Sequence, residues 1–235
     1  MMRFRHLPIL PILVLAFGLS TAAIAQDRAK LEQEIEALKQ QIREKEREFL
    51  EPAKEDKAAF AEFLAQSDRG MFRLMPREKY RDKLLIREGG AYYSFTRLVH
   101  EYGNGSDISL EQGRLQAGFL GAGFGFITMI GDVPLDEITL THPAVEFLAN
   151  FNAPTAEPQA REQQHISGTG IAVQGFNYSR YVGARVNRTY VLRSIDYHQS
   201  DVLVAFRVIR QDADGSLTII WKMLKDFPTP ILERK

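Results

Sequence analysis

The densest group of chemically competent side chains in this 235-residue sequence lies in HEYGNGSD, which begins at His100. His100, Glu101 and Asp107 supply one imidazole and two carboxylates, the groups that ligate divalent metals or transfer protons during hydrolysis. Their spacing matches no established metal motif, and adjacent residues of a strand would point to opposite faces. A turn rich in Gly, Asn and Ser, with Asp107 bonded to its own backbone, is the favoured alternative. The three residues are therefore the catalytic candidates, and neither a metal ligand set nor a cofactor is predicted.

A second unusual stretch is GFLGAGFGF, residues 118–126. Its glycines do not follow the order of a dinucleotide fingerprint, and no Gly-Lys-Ser/Thr sequence is present for a phosphate loop. Gly121, Gly123 and Gly125 alternate with bulkier apolar residues, which predicts a strand with one apolar face and one bare face. We expect an aromatic ring or a crossing helix to pack on the bare face. A sugar or another flat ligand is the alternative occupant.

Other catalytic signatures are missing from the sequence. No G-x-S-x-G segment marks a serine hydrolase. The chain has no cysteine, which excludes a thiolate nucleophile, a disulfide framework and a cysteine zinc site. These observations favour a binding or structural protein over an enzyme.

Strand patterns dominate the part of the chain that must position these residues. Residues 188–196, 201–211 and 216–224 read as successive strands joined by short turns, and Asp214-Gly215 suits a tight hairpin. Leu217, Ile219, Trp221 and Met223 alternate with a second set of side chains, and this odd-numbered set is predicted to face the core. Antiparallel neighbours of this kind form a meander.

The middle of the chain mixes element types. Residues 91–99 are rich in aromatic and β-branched residues, which predicts a strand, and residues 115–130 hold one or two more. A short helix is predicted over 142–151 because Pro143 can open it. Residues 152–164 contain two prolines and few large apolar groups, which predicts a surface loop.

A charged helix is predicted ahead of the strands. Residues 27–57 include 18 charged residues in 31, and Leu31, Ile35, Leu38, Ile42 and Phe49 follow an a/d heptad spacing. Pro52 should stop or kink this helix, which can resume over 53–66. The heptads predict homo-oligomerisation through residues 27–50; a solvated single helix is the alternative.

The first 25 residues have the pattern of a secretory signal peptide. Arg3 and Arg5 precede a short apolar run, and Ala23-Ile24-Ala25 offers a small-residue cleavage site before Gln26. An uncleaved membrane anchor is the alternative. Removing 1–25 leaves 28 basic and 30 acidic side chains, a formal net charge of −2, so no strong field for nucleic acid is present. We expect a periplasmic or extracellular protein without a membrane span after cleavage.

Together these patterns predict an α+β protein. The expected organisation is a signal peptide at 1–25, a charged, coiled-coil-like helical segment at 26–67 and a mostly antiparallel β domain at 68–235, of sandwich or barrel-like meander type with one or two short helices. The function hypothesis is an exported binding or structural protein of the cell envelope, with an unknown protein, small-molecule or glycan ligand. The alternative is a metal-dependent or acid/base hydrolase that uses His100, Glu101 and Asp107.

Overall fold

The structure is a computed structural model that describes residues 12–119, 121 and 123–233, with the backbone alone for 12–25. Residues 1–11 of the predicted signal peptide, which include Arg3 and Arg5, thus lie outside the described residues, as do Ala122 and the side chains of the Ala23 and Ala25 cleavage site. No helix in the described part of the chain is both long and apolar enough to cross a membrane.

The chain divides into two compact units, residues 1–45 and 46–235. Helix α1 (Ile12–Leu50) forms the first unit and contributes its last five residues to the second. Within the second unit the carboxylate of Glu46 accepts hydrogen bonds from the backbone N–H groups of Leu85 and Ile86, and Leu50 is buried. Helix α1 ends just before Pro52, as predicted, because proline cannot donate the next helical hydrogen bond.

The described residues of the second unit form short helices and eleven strands. The helices are α2 (Lys54–Ala59), α3 (Ala61–Leu64), α4 (Arg77–Tyr80), α5 (Pro143–Asn150) and α6 (Glu157–Thr169), with 3₁₀ turns at Arg87–Gly90 and Leu135–Glu137. The strands are β1 (Arg69–Leu74), β2 (Tyr92–Tyr93), β3 (Ile108–Glu111), β4 (Arg114–Ala117), β5 (Gly123–Gly131), β6 (Ile171–Val173), β7 (Phe176–Tyr178), β8 (Tyr181–Gly183), β9 (Arg188–Asp196), β10 (Ser200–Gln211) and β11 (Leu217–Asp226).

The strands form antiparallel sheets, and the predicted α+β class is confirmed. A five-stranded sheet has the order β1-β11-β10-β9-β5, a four-stranded sheet has the order β2-β3-β4-β8, and β6 pairs with β7. The predicted meander is β9-β10-β11. Its last turn is the predicted hairpin, in which Gly215 takes a φ of 90° and the Asp212 N–H donates to the carbonyl of Ser216 at 2.9 Å.

Two apolar cores stabilise this arrangement because both faces of the five-stranded sheet are covered. One face packs against the four-stranded sheet, and Leu217, Ile219 and Trp221 lie in this core as predicted from their alternation. The opposite face carries Ile220 and packs against side chains of α5 and α6. The unit therefore has three layers: the four-stranded sheet, the five-stranded sheet and the helices.

Two predictions about local structure were wrong. Only Tyr92 and Tyr93 of the predicted strand 91–99 are in a strand, because the chain turns after Ser94 and Leu98 takes a φ of 57°. Most of the predicted loop 152–164 is the start of α6. The interpretation failed because Pro158 occupies the first turn of that helix, where a missing N–H costs nothing.

In the glycine-rich stretch, strand β5 begins at Gly123, and the described residues 118, 119 and 121 lie outside any strand. No aromatic ring or helix fills the bare face at this point. A Cβ on Gly123 would lie 2.9 Å from Asp196 Cα and closer still to the carbonyl oxygen of Ile195. A Cβ on Gly125 would lie 2.8 Å from the carbonyl carbon of Ala117. The glycines therefore allow the backbones of β9 and β4 to approach closely. These backbones leave no room for a flat ligand beside Gly123 and Gly125.

Candidate functional site

His100 and Glu101, two of the three catalytic candidates, lie in the loop between β2 and β3. The Nε2–H of His100 donates to the backbone carbonyl of Arg73 at 2.6 Å. Burial lowers the pKa of His100 and keeps the imidazole neutral. The side chain of Glu101 is about one-third exposed and forms an ion pair with Arg97. Both side chains thus have partners within the protein.

Asp107, the third candidate, has no solvent-accessible surface. Its Oδ2 accepts the Phe95 N–H at 2.7 Å and lies 3.5 Å from the Ser94 hydroxyl, while its Oδ1 has no hydrogen-bond partner in the described structure. Burial raises the pKa of Asp107 to about 7, and the nearby carboxylate of Asp196 adds to this rise. The side chain therefore fixes the turn after β2, and solvent does not reach it.

These three residues are not joined to one another. No hydrogen bond or ion pair links any two of them among the residues that the structure describes, and no group of three or more His, Asp or Glu side chains there could hold a metal ion. Acid/base chemistry at His100, Glu101 and Asp107 stays a prediction.

A different site lies on the outer face of the four-stranded sheet. The strand register places Tyr92 beside Ser109, Ser109 beside Gln116, and Gln116 beside Tyr181, which makes one row across β2, β3, β4 and β8. Glu111 and Arg114 stand opposite each other two residues along the same face. The opposite face of this sheet lies in the core between the two sheets. We call the depression over the outer face the aromatic groove.

The walls of the aromatic groove come from α4 and from two loops. Arg77, the first residue of α4, bridges Glu88 at 2.6 Å and Glu111 at 2.8 Å. Tyr102 and Phe119 come from loops, and their rings meet edge to face at 5.1 Å. The cavity has a volume of about 560 Å³, within the range of about 300–1,000 Å³ that is typical of small-molecule sites. Its lining residues are Arg77, Tyr92, Tyr102, Glu111, Gln112, Arg114, Gln116, Phe119 and Tyr181.

Aromatic contacts hold the groove in shape. The ring of Tyr92 packs edge to face against Tyr102 at 4.9 Å and against Phe119 at 6.0 Å. The guanidinium of Arg87 lies 4.2 Å from the ring centre of Tyr102, and that of Arg114 lies 4.5 Å from the ring centre of Tyr181. Such contacts fix the rings before any ligand arrives and reduce the entropy lost on binding.

Several polar groups of the aromatic groove have no protein partner. Within the described structure, no hydrogen bond involves the hydroxyl of Tyr92, Tyr102 or Tyr181. Burial raises the pKa of Tyr92, so this phenol stays protonated and can donate. The Gln116 amide donates only a long bond to the carbonyl of Gly118, at 3.4 Å. Unused donors and acceptors in a preformed cavity are the usual marks of a ligand site.

Sequence reasoning missed the aromatic groove. The signal was present in ISLEQGRLQA, where apolar and polar residues alternate on both sides of Gln112-Gly113. Gln112 and Gly113 both have positive φ, 50° and 70°, as a two-residue hairpin turn requires. That alternation predicts a hairpin with one core face and one outward face. The cross-strand row with Tyr92 and Tyr181 follows only from the sheet order.

A second exposed surface lies on helix α1. Leu31, Ile35, Leu38 and Ile42 are 56%, 51%, 58% and 46% exposed, although each is a large apolar side chain. We call these four residues the apolar stripe. Their spacing of four, three and four residues keeps them on one side of the helix. Helix surfaces of this kind are normally buried against another helix.

The comparisons with known proteins add no functional assignment. No protein-family model, no curated protein and no solved structure matches this chain, and its function must be inferred from the aromatic groove and the apolar stripe.

Proposed function

We propose that this chain is an exported binding protein of the cell envelope that self-associates through the apolar stripe of α1 and presents its β unit to a ligand. The observation that carries the proposal is the apolar stripe, four large side chains at heptad spacing that are each about half exposed. Fully burying a side chain of this size stabilises a structure by about 1.5–3 kcal/mol. A second copy of the same helix offers the matching surface.

The charge pattern around the apolar stripe supports pairing between copies. Lys39 and Arg43 form ion pairs with Glu36. Residues 27–45 carry five basic and five acidic side chains, so this part of the helix has no net charge. Mixed charges beside a heptad seam are typical of helices that pair. Repulsion between two copies would therefore be small.

Export is supported by the N-terminal sequence. Two arginines, a short apolar run and the Ala-x-Ala site before Gln26 form the pattern of a cleaved signal peptide. We expect the mature chain to begin at Gln26. Intact-mass measurement of protein recovered from the export compartment checks this; a chain that retains residues 1–25 would contradict it.

Self-association is tested by sedimentation velocity on the mature chain and on Ile35→Glu/Leu38→Glu. This double substitution places two carboxylates in the apolar stripe, and we expect it to lower the molar mass to that of a monomer at tens of micromolar. The matched control is Gln33→Glu/Ala37→Glu, which adds the same charge at outward heptad positions and should leave the mass unchanged. A monomer in all three samples would contradict the proposal.

The hydrolase alternative rests on the residue types of His100, Glu101 and Asp107. His100 lines a cavity of about 600 Å³, but neither Glu101 nor Asp107 does. The hydrogen bond of His100 to Arg73 and the complete burial of Asp107 argue for a structural role of both side chains. Binding is therefore the function that we favour.

A further inference from the structure

We propose that the aromatic groove binds an anionic oligosaccharide, with sugar rings against its aromatic side chains and a ligand carboxylate on Arg114. The inference deepens the proposed function and rests on the chain being a binding protein, but it does not depend on self-association. Its residues all belong to the second unit, whereas the apolar stripe belongs to the first.

The shape and lining of the groove favour a sugar. A saccharide ring has an apolar C–H face and a rim of hydroxyl groups. Four aromatic rings line the groove, those of Tyr92, Tyr102, Phe119 and Tyr181, and they match the apolar face. The hydroxyls of Tyr92, Tyr102 and Tyr181 have no hydrogen-bond partner among the described residues. These hydroxyls and the amide of Gln116 match the rim, because each can donate or accept a hydrogen bond.

The charges of the groove favour an acidic ligand. The carboxylate of Glu111 is already engaged by Arg77, which also binds Glu88. Arg114 contacts the ring of Tyr181 and forms no ion pair with any described carboxylate. The same holds for Arg87, which contacts the ring of Tyr102. A guanidinium held on an aromatic ring keeps its donors free for a carboxylate.

The volume favours an oligosaccharide over a single small ion. A cavity of about 560 Å³ is far larger than a carboxylate or phosphate group needs. The row from Tyr92 to Tyr181 crosses all four strands, which are about 4.8 Å apart from one to the next, so the floor is long enough for more than one ring.

The test is isothermal titration of the purified mature chain, residues 26–235, with trigalacturonate and with the neutral trisaccharide maltotriose. We expect trigalacturonate to bind and maltotriose to bind at least tenfold more weakly. Arg114→Gln should weaken trigalacturonate binding by about ten- to hundredfold, since a charge-assisted bond is lost. Tyr102→Ala should weaken both sugars. Arg161→Gln, a change at an exposed arginine outside the groove, is the matched control and should bind as the unchanged chain does.

Three results would overturn the inference: no binding of trigalacturonate at millimolar concentration, equal affinity for maltotriose, or an Arg114→Gln variant that binds normally. Circular dichroism of each variant identifies loss of binding that comes from unfolding. Sedimentation of the same samples separates the two proposals, because a chain that self-associates without binding sugar contradicts only this one.

Discussion

Two regions are rich in polar side chains: the aromatic groove and the loop that contains His100, Glu101 and Asp107. They differ in how many of their hydrogen-bonding groups remain free. In the loop, His100 and Glu101 are bonded to protein groups, and Asp107 is fully buried. In the groove, three tyrosines line a cavity of about 560 Å³, and their hydroxyls form no hydrogen bond within the described structure. The comparison teaches that residue type alone does not separate the two regions; unused hydrogen-bonding capacity beside a cavity does.

The largest expected loss of stability comes from a substitution in β5. Its partner strand β9 carries Asp196, whose carboxylate lies near the buried Asp107. Gly123→Val should destabilise the fold by about 3 kcal/mol, because the added side chain would collide with the backbone of β9. Gly183→Val in β8 is the matched control, since nothing lies within 4 Å of a Cβ there, and it should change stability by less than about 0.5 kcal/mol.

Chemical denaturation of both glycine variants measures this difference. Similar midpoints for Gly123→Val and for the unchanged chain would mean that the close approach of β5 and β9 is wrong. The structural explanation for the glycine-rich stretch would then fail as well.

The next effect is a pH dependence of the folding stability, which comes from Asp107 in the loop between β2 and β3. The pKa of Asp107 is raised from 3.8 to about 7, so the folded chain retains a proton that the unfolded chain has lost between these values. The stability from this group is complete below pH 4 and is lost as the pH rises to 7. Asp107→Asn cannot ionise, so its stability relative to the unchanged chain should increase as the pH rises from 4 to 7.

Thermal unfolding of the Asp107→Asn variant and of the unchanged chain from pH 4 to 8 checks this. Burial lowers the pKa of His100, so its contribution to the pH dependence of stability has the opposite sign. His100 is present in both proteins, and its contribution cancels in the difference. A constant difference across the whole range would contradict the raised pKa.

A smaller effect is expected in the aromatic groove. Arg114→Gln should cost only about 0.5–1 kcal/mol of stability, the value of the lost contact with the ring of Tyr181. A loss of more than about 2 kcal/mol would mean that Arg114 is needed for folding. The groove would then resemble the loop of His100, Glu101 and Asp107, whose side chains serve the structure. Urea denaturation is sufficient to measure this.

The smallest effect is expected at Glu101. Its ion pair with Arg97 is about one-third exposed at each side chain, and pairs of this kind contribute about 0–1 kcal/mol. Glu101→Gln should therefore leave stability within about 0.5 kcal/mol. A large loss, measured in the same urea series, would mean that Glu101 has a role beyond this pair.

The strands at the end of the chain could be predicted from sequence because their alternation is strong and their turns are short. Arg188–Asp196 matches the prediction residue for residue, since each face of this strand meets a different apolar core. Helix α6 could not be predicted from apolar spacing, because only Ala160 and Ser167 of its side chains are buried. The segment 152–164 also contains residues that favour a helix, but its two prolines led to the prediction of a loop.

The candidate site was harder to predict than the fold. The predicted strand 91–99 was too long. The Phe95 N–H bonds to the side chain of Asp107 and not to a neighbouring strand, and these two residues are twelve positions apart in the sequence. The aromatic groove joins residues from Arg77 to Tyr181, and their meeting depends on β8 pairing with β4. Local patterns in sequence carry no information on such pairing.

The most direct test of the central claim, that ligand is met by the aromatic groove and not by the buried loop, is an amide NMR titration with trigalacturonate. We predict that the shifted backbone signals will cluster at Tyr92, Tyr102, Arg114, Gln116 and Tyr181, while those of His100 and Asp107 stay in place. Shifts centred on His100 and Asp107, with the signals of the groove unchanged, would contradict the account.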